Sequence, residues 1–210
     1  MLSAKAWVRI PRRFHRISLA AAGCAAVLLL GAPRLMCQGA QSTKLQQGTD
    51  LIKQILAKDG LYTRTTTSPS GYKAVMERKF EVTSASGCQL VVAANVHTHT
   101  EMSAQNRVTD RSSTDIFRPD FSALDAASVT VADPQPAQPT WEMKGYLVRI
   151  GVEAGKPPIR ASSRIQQTNE EHDLPPLPNL AVYVATRDQA DRLAKAFAQV
   201  ATACHANPAH

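Results

Sequence analysis

The sequence predicts an α+β fold in which about seven antiparallel strands are followed by one amphipathic helix. Between Met76 and Val184, short runs of alternating apolar and polar residues are separated by turns that contain Gly or Pro. This pattern is typical of antiparallel strands with one buried face. After Thr186 the apolar residues recur at helical spacing, and a further helical stripe precedes the strands.

Residues 1–40 have the composition of a signal peptide. A basic segment without acidic residues is followed by an apolar run from Ile17 to Ala32. The run is shorter than the roughly 20 residues that span a bilayer, and the small residues Gly39 and Ala40 offer a cleavage point. We therefore expect an exported protein, located in the periplasm or outside the cell. The alternatives are an uncleaved signal anchor and lipidation at an N-terminal cysteine.

Loss of this segment would change the net charge of the protein. The 210-residue chain has 24 Lys and Arg against 17 Asp and Glu, which gives a formal charge of +7. All acidic residues follow residue 40, where 18 basic residues remain against 17 acidic ones. A charge near zero gives no electrostatic reason to expect binding to nucleic acid or to an anionic membrane. Membrane contact is expected only through an uncleaved signal segment.

Residues 41–74 are expected to form an N-terminal helix and a loop. The helix, residues 42–58, carries an apolar stripe made of Leu45, Leu51, Ile52, Ile55 and Leu56. Residues 61–74 are interpreted as a loop because Pro69 and Gly71 interrupt any regular pattern.

The strand predicted from Cys88 to Thr100 decides how two neighbouring histidines are interpreted. Its apolar face, made of Cys88, Leu90, Val92, Ala94 and Val96, is predicted to face the core. His97 and His99 lie on the opposite, polar face. A zinc site needs further ligands that converge on the pair, and His172 and His205 have no ligand spacing to it. We therefore predict no metal site and interpret the pair as a solvated strand face, with metal binding as an alternative.

The other strands follow from the same alternation. They are predicted at 76–83, ending in a turn at 84–87, then at 106–118, around Val129 and Val131, at 141–153, at 159–167 and at 180–184. The strand at 159–167 is polar enough to lie at a sheet edge. Phe121 and Leu124 are expected to reach the core between strands, and the proline-rich segment 168–179 is expected to be a loop.

The C-terminal segment has the clearest helical pattern. Thr186 and Gln189 have the spacing of a capping box. The apolar stripe consists of Ala190, Leu193, Ala194, Phe197, Ala201 and Cys204. Cys88 and Cys204 are the two cysteines beyond residue 40, and both are predicted to point into the core. In an exported protein this pair predicts a disulfide between Cys88 and Cys204, and two buried free thiols are the alternative.

The order of seven strands and one helix resembles the pleckstrin-homology-like domain. The segments "DFSALDAASVTV" and "RDQADRLAKAFAQVATAC" are similar to those of uncharacterised exported bacterial proteins with such a domain. The resemblance covers residues 75–206 and implies a curled antiparallel sheet, or partly open barrel, that the last helix caps. The expected organisation is a signal peptide at 1–40, a helix and loop at 41–74, and the pleckstrin-homology-like domain at 75–207. The resemblance also implies binding rather than catalysis, although the loop "SASG" lacks the cations that lipid headgroups require.

Motifs for catalysis are not recognised in the sequence. It contains no Gly-x-Ser-x-Gly elbow, HExxH, Walker A loop or GxGxxG. The carboxylates at 170–173 are interpreted as solvated loop charges. Arg107, Arg111 and Arg118 are interpreted as surface charges offset by Asp110 and Asp115, with an anion site as the alternative. We therefore predict a non-catalytic, cofactor-free domain that binds a protein or peptide partner in the cell envelope. The alternatives are a secreted hydrolase and a metal-binding envelope protein.

Overall fold

The computed structural model describes residues 33–135 and 140–206, and their side chains from residue 42 onward. Within these ranges the chain forms two helices and ten strands. In chain order they are α1 (Pro33–Asp59), β1 (Leu61–Thr67), β2 (Tyr72–Ser86), β3 (Gln89–Met102), β4 (Arg107–Arg118), β5 (Thr130–Ala132), β6 (Trp141–Lys144), β7 (Tyr146–Gly151), β8 (Ile159–Ile165), β9 (Glu171–Leu177), β10 (Asn179–Val184) and α2 (Arg187–Ala206).

The strands form a sheet of seven, in the order β6-β1-β2-β3-β4-β8-β9, and a sheet of three, in the order β10-β7-β5. Neighbouring strands are antiparallel in both sheets. Gly145 joins β6 to β7, and Pro178 joins β9 to β10. Both edges of the larger sheet therefore continue into the smaller one. The predicted α+β class, the antiparallel sheet and the C-terminal helix are confirmed.

The core joins residues of both sheets and both helices in one cluster. Leu90, Val92 and Ala94 of β3 are buried, as the alternation along this strand predicts. The buried stripe of α2 includes Ala190, Leu193, Phe197, Ala201 and Cys204. Phe121 is fully buried, and the centroids of its ring and that of Phe197 lie 5.7 Å apart. The helix cap is also present, because the backbone N–H at position 189 donates to the Thr186 hydroxyl over 3.4 Å.

Helix α1 packs against α2 through a glycine. A Cβ atom at Gly48 would lie 2.7 Å from Cγ2 of Val200, so the missing side chain allows the two helices to approach closely. The predicted apolar stripe of α1 is confirmed, since Ile52, Ile55 and Leu56 are buried. The helix begins at Pro33, within the segment that the sequence assigns to the signal peptide. The remainder of that predicted peptide, residues 1–32, lies outside the described residues.

Two predictions about the first strands are wrong. The predicted loop at 61–74 is largely β1, and β2 begins at Tyr72. The threonine-rich sequence of β1 explains the difference, because β-branched residues favour extended backbone. The predicted turn at 84–87 is wrong in its extent: β2 continues to Ser86, and the chain reverses only at Gly87, which has a φ of +55°. Ser84, Ala85 and Ser86 therefore belong to β2, and the pairing of β2 with β3 has a β-bulge between Val82 and Ser84.

The end of the larger sheet also differs from its prediction. The predicted edge strand, β8, lies between β4 and β9. The predicted loop at 168–179 contains β9, which is the true edge strand. Pro175 and Pro176 are compatible with this position, because one proline can face the free side of the edge strand and the pairing of β9 with β8 is interrupted between Leu174 and Leu177. The predicted strand at 141–153 is divided into β6 and β7 at Gly145.

Gly145 makes the bend that carries the chain from one sheet to the other. Its φ is +114°, a region that residues with a side chain rarely adopt. A Cβ atom here would lie 2.8 Å from the carbonyl oxygen of Leu61 in β1. The connection between the sheets therefore requires glycine for both conformation and space.

We predict that Gly145→Ala lowers the free energy of unfolding by about 2–4 kcal/mol, since backbone strain and a displaced neighbouring strand add together. The matched control is Gly155→Ala, where φ is +82° but nothing lies within 4 Å of the added atom. Gly155→Ala introduces the backbone strain without the close contact, and we expect it to lower the free energy of unfolding by about 1–2 kcal/mol. Guanidinium unfolding of the two variants measures the difference, and equal losses would contradict the role assigned to the bend.

Candidate functional site

A cleft of about 500 Å³ opens beside the start of β3. Three segments that are distant in sequence form its walls: residues 89–91 at the start of β3, residues 118–124 at and after the end of β4, and residues 156–160 at the start of β8. Clefts that bind ligands commonly have volumes of roughly 300–1,000 Å³. The size of this cleft is therefore that of a ligand site.

Hydrogen bonds hold the wall that follows β4 in place. Asp120 caps a short 3-10 turn, since its Oδ1 accepts from the backbone N–H of Ser122 over 2.9 Å and from its hydroxyl over 2.6 Å. The N–H of Phe121 donates to the carbonyl of Cys88 over 2.8 Å, and the N–H of Leu90 donates to the carbonyl of Pro119 over 3.2 Å. The wall is thus fixed to the β2–β3 hairpin, while the ring of Phe121 is buried in the core.

The charges that line the cleft are mostly positive. Arg118, Lys156 and Arg160 contribute three cations, and Asp120 contributes one carboxylate. Arg118 donates to the hydroxyl of Ser162 over 3.1 Å. Its guanidinium group also lies 4.0 Å from the carboxylate of Glu171 in β9. The side chains of Lys156 and Arg160 form no hydrogen bond or ion pair with the part of the chain that the structure describes. Two cations of the cleft are therefore available to a ligand.

Two of these cations face each other across neighbouring strands. Arg118 of β4 and Arg160 of β8 are directly opposite in the register, so their side chains project from the same face of the sheet. Like charges in this position destabilise a sheet. Four positions further along β8, on the same face, Arg164 lies opposite Glu171, and the two side chains form an ion pair of 2.7 Å. The sheet thus pairs one arginine of β8 with an acid and sets the other against a second arginine.

The predicted disulfide between Cys88 and Cys204 is present. It joins residues separated by 116 positions, and the two Cα atoms lie 5.7 Å apart. Cys204 is fully buried on α2, whereas Cys88 is partly exposed at the turn of the β2–β3 hairpin. Because Gln89 follows Cys88 directly, the disulfide connects the cleft wall to the C-terminal helix. A disulfide is consistent with an oxidising, exported location.

The two histidines lie on the polar face of β3, away from the cleft. Asp110 Oδ1 lies 2.8 Å from His99 Nδ1 and 3.5 Å from His97 Nε2. His99 Nε2 lies 3.2 Å from Glu101 Oε1, and His97 Nδ1 shares a hydrogen bond of 3.1 Å with Ser112. The hydrogen bond to Asp110, and next that to Glu101, raises the pKa of His99 above its usual value. Among the side chains that the structure describes, in residues 42–135 and 140–206, no three His, Cys, Asp or Glu are placed to hold a metal ion.

The structure separates the three arginines that the sequence singles out. Arg118 lines the cleft, whereas Arg107 and Arg111 lie on the opposite face of β4. Asp115 was expected to offset these arginines. It instead pairs with Arg78 of β2 over 3.0 Å and accepts a hydrogen bond from the hydroxyl of Ser163. The expected compensation by Asp115 is therefore wrong, because strand pairing brings a more distant arginine to it.

The carboxylates at 170–173 are solvent-exposed, as predicted, but only Glu170 lies in a loop, because Glu171 and Asp173 belong to the edge strand β9. Glu171 accepts from Arg164 over 2.7 Å and from Ser162 over 3.0 Å. These contacts, of which the one with Arg164 is the largest, lower the pKa of Glu171. His172 and Asp173 are exposed residues of the same edge strand.

Lys156 and Arg160 are functional candidates that sequence reasoning missed. Both lie within the segment "GKPPIR", which resembles any exposed turn between strands. The indication that was present is the pair of cations around two prolines in a six-residue segment that contains no acid. Their convergence with Arg118 depends on strand pairing and is not visible in the local sequence.

Comparison with known proteins finds no family model, no curated protein and no solved structure that matches this chain. Among the described residues, no helix is both long enough and apolar enough to cross a membrane.

We predict that Cys88→Ala/Cys204→Ala lowers the free energy of unfolding by roughly 3–5 kcal/mol, since the disulfide closes a long loop of the unfolded chain. Guanidinium unfolding measures the loss, with Cys24 and Cys37 changed to Ser in both proteins to exclude other thiols. Reductant should destabilise the protein that keeps the disulfide and leave the double variant unchanged. An equal response to reductant would contradict the prediction.

We predict that protonated His99 stabilises the fold. Because the pKa of His99 is raised in the folded protein, its contribution is fully present below the unfolded pKa of about 6.5 and is lost as the pH rises through the folded value. Wild type should therefore exceed His99→Gln in stability at low pH, and the difference should vanish at high pH. NMR titration should also show that Asp110→Asn lowers the pKa of His99, whereas Ser112→Ala, which contacts His97, leaves it unchanged. A stability difference that grows with pH would refute this assignment.

Proposed function

We propose that the protein is an exported, non-catalytic binding domain whose cleft holds a segment of a protein or peptide partner in the cell envelope. The observation that carries the proposal is the open cleft of about 500 Å³ with two cations, Lys156 and Arg160, that have no partner among the described residues. A site prepared for a ligand has fixed walls and a few unsatisfied polar groups among apolar ones. Hydrogen bonds and a disulfide fix the walls of this cleft.

The location of the partner follows from the disulfide and the N-terminal sequence. Disulfides form and persist in oxidising compartments. The bond between Cys88 and Cys204 therefore supports export, as does the basic and apolar pattern of residues 1–40. A partner that meets the domain after export belongs to the envelope or to the extracellular space.

The strand connections support the proposed pleckstrin-homology-like architecture. Both edges of the seven-stranded sheet continue into the three-stranded sheet, as they do in a sheet that curls towards a barrel. Helix α2 buries its apolar stripe in the same core. Domains of this architecture present loops and strand ends at a rim, and the proposed cleft lies among such elements.

Site-directed photo-crosslinking in the native host tests the proposal. A benzophenone amino acid at Gln89, an exposed residue of the cleft wall, should form an adduct with one defined envelope or extracellular protein, identified by mass spectrometry. The matched control is the same substitution at Val108, which is exposed at the far end of β4. We expect an adduct from position 89 and none from position 108. An absence of adducts from position 89, or the same adduct from both positions, would overturn the proposal.

A further inference from the structure

We infer that the partner segment is an extended acidic peptide, in which carboxylate side chains alternate with aliphatic ones. This inference rests on the proposed function and adds the chemistry that the cleft selects. Its starting point is charge. Three cations line the cleft against the single carboxylate of Asp120, which already accepts two hydrogen bonds from Ser122. The positive charge of the cleft is therefore not neutralised within it.

The register of the sheet gives an independent reason to expect an anion. Arg118 and Arg160 are directly opposite each other on the same face of the sheet, a position in which like charges repel. Arg118 is partly compensated by Ser162 and by Glu171 at 4.0 Å, while Arg160 has no acidic partner among the described residues. A carboxylate that binds between the two guanidinium groups would remove this repulsion. Guanidinium groups bind carboxylates in a planar, bidentate geometry, which suits a peptide side chain.

The cleft also has an apolar surface. The exposed prolines at positions 157 and 158 and the partly exposed Val91 form it, while Leu90, Leu124 and Ile159 lie behind them and are buried. In an extended peptide, successive side chains point to opposite sides. A segment with alternating acidic and aliphatic residues therefore directs its carboxylates to the arginines and its aliphatic groups to the apolar surface. A free inorganic anion would leave that surface without a ligand.

Lys156 lies on the turn before β8, at the opposite end of the two prolines from Arg160. Its backbone N–H donates to the carbonyl of Glu153 over 3.0 Å, which orders the turn, while its ammonium group is exposed. A lysine binds a carboxylate as a flexible point charge. We therefore expect Arg118 and Arg160 to select one carboxylate of the peptide by its geometry. Lys156 is expected to bind a second carboxylate more weakly and in a way that is more sensitive to salt.

Fluorescence polarisation with defined peptides tests the inference, on protein purified from its native host in the form that accumulates there. The probes are fluorescein-labelled hexapeptides with blocked ends, in which Val alternates with Glu, with Gln or with Lys. We expect the Glu peptide to bind at least tenfold more tightly than the Gln peptide, the Lys peptide not to bind, and the affinity of the Glu peptide to fall at higher NaCl.

Arg160→Glu is the decisive variant. It should lower the affinity for the Glu peptide at least tenfold and should raise the melting temperature, because it replaces the repulsion with an attraction to Arg118. The matched control is Arg192→Glu, the same charge change at an exposed position of α2, which should alter affinity no more than twofold. Lys156→Gln should weaken binding by about two- to fivefold and reduce its dependence on salt.

The alternatives give distinct results. Equal affinities for the Glu and Gln peptides, or an unchanged affinity in Arg160→Glu, would overturn the acidic-peptide inference, even where crosslinking at Gln89 still identifies a partner. Equal affinity for glutarate alone would show a small-molecule site and overturn it as well. Binding to phosphatidylglycerol vesicles without binding to the Glu peptide would do the same. Failure of the crosslinking experiment instead removes the proposed function itself.

Discussion

The burial of the apolar stripe of α2 is the interaction on which the rest of the structure depends. Leu193 and Phe197 are fully buried, and full burial of such side chains contributes roughly 1.5–3 kcal/mol each. Phe121, which packs its ring 5.7 Å from that of Phe197, belongs to the 3-10 turn that forms one wall of the cleft. Its neighbours Asp120 and Ser122 line the cleft from the same turn. The core thus positions the cleft directly, through alternate residues of one short segment.

Cys88 adds a second connection between the same parts. Its sulfur is bonded to Cys204 of α2, and its carbonyl accepts the N–H of Phe121 over 2.8 Å. One residue of the β2–β3 turn therefore holds the helix through a covalent bond and the cleft wall through a hydrogen bond. Movement of α2 relative to the larger sheet would have to break the disulfide or disturb the start of β3. This arrangement explains how a cleft formed by three distant segments keeps a defined shape.

Much of the fold could be predicted from the sequence because local periodicity reports burial. The alternation around Leu90 and the helical spacing around Phe197 identified buried faces and predicted the bonded pair of cysteines, although Cys88 lies in the turn before β3 and is only partly buried. The errors occur where local sequence and tertiary context disagree. A proline-containing segment forms the edge strand β9, which requires no donors on its free side, and Gly145 divides what reads as one strand. The cleft was missed because strand pairing alone brings Arg118 and Arg160 together.

The two arginines of β8 show how the same sheet can use charge for stability or for binding. Arg164 lies opposite Glu171, and their ion pair satisfies both side chains within the protein. Arg160, on the same face of the same strand, lies opposite Arg118 and retains its charge without an internal partner among the described residues. An acidic residue at position 160 would have been the more stable choice for the isolated fold. Local features that reduce stability without a structural benefit are concentrated at functional sites, because a bound partner provides the missing interaction. The unfavourable pair therefore supports the proposed partner, because an anion that would complement Arg160 is absent from the described residues and a bound carboxylate would supply it.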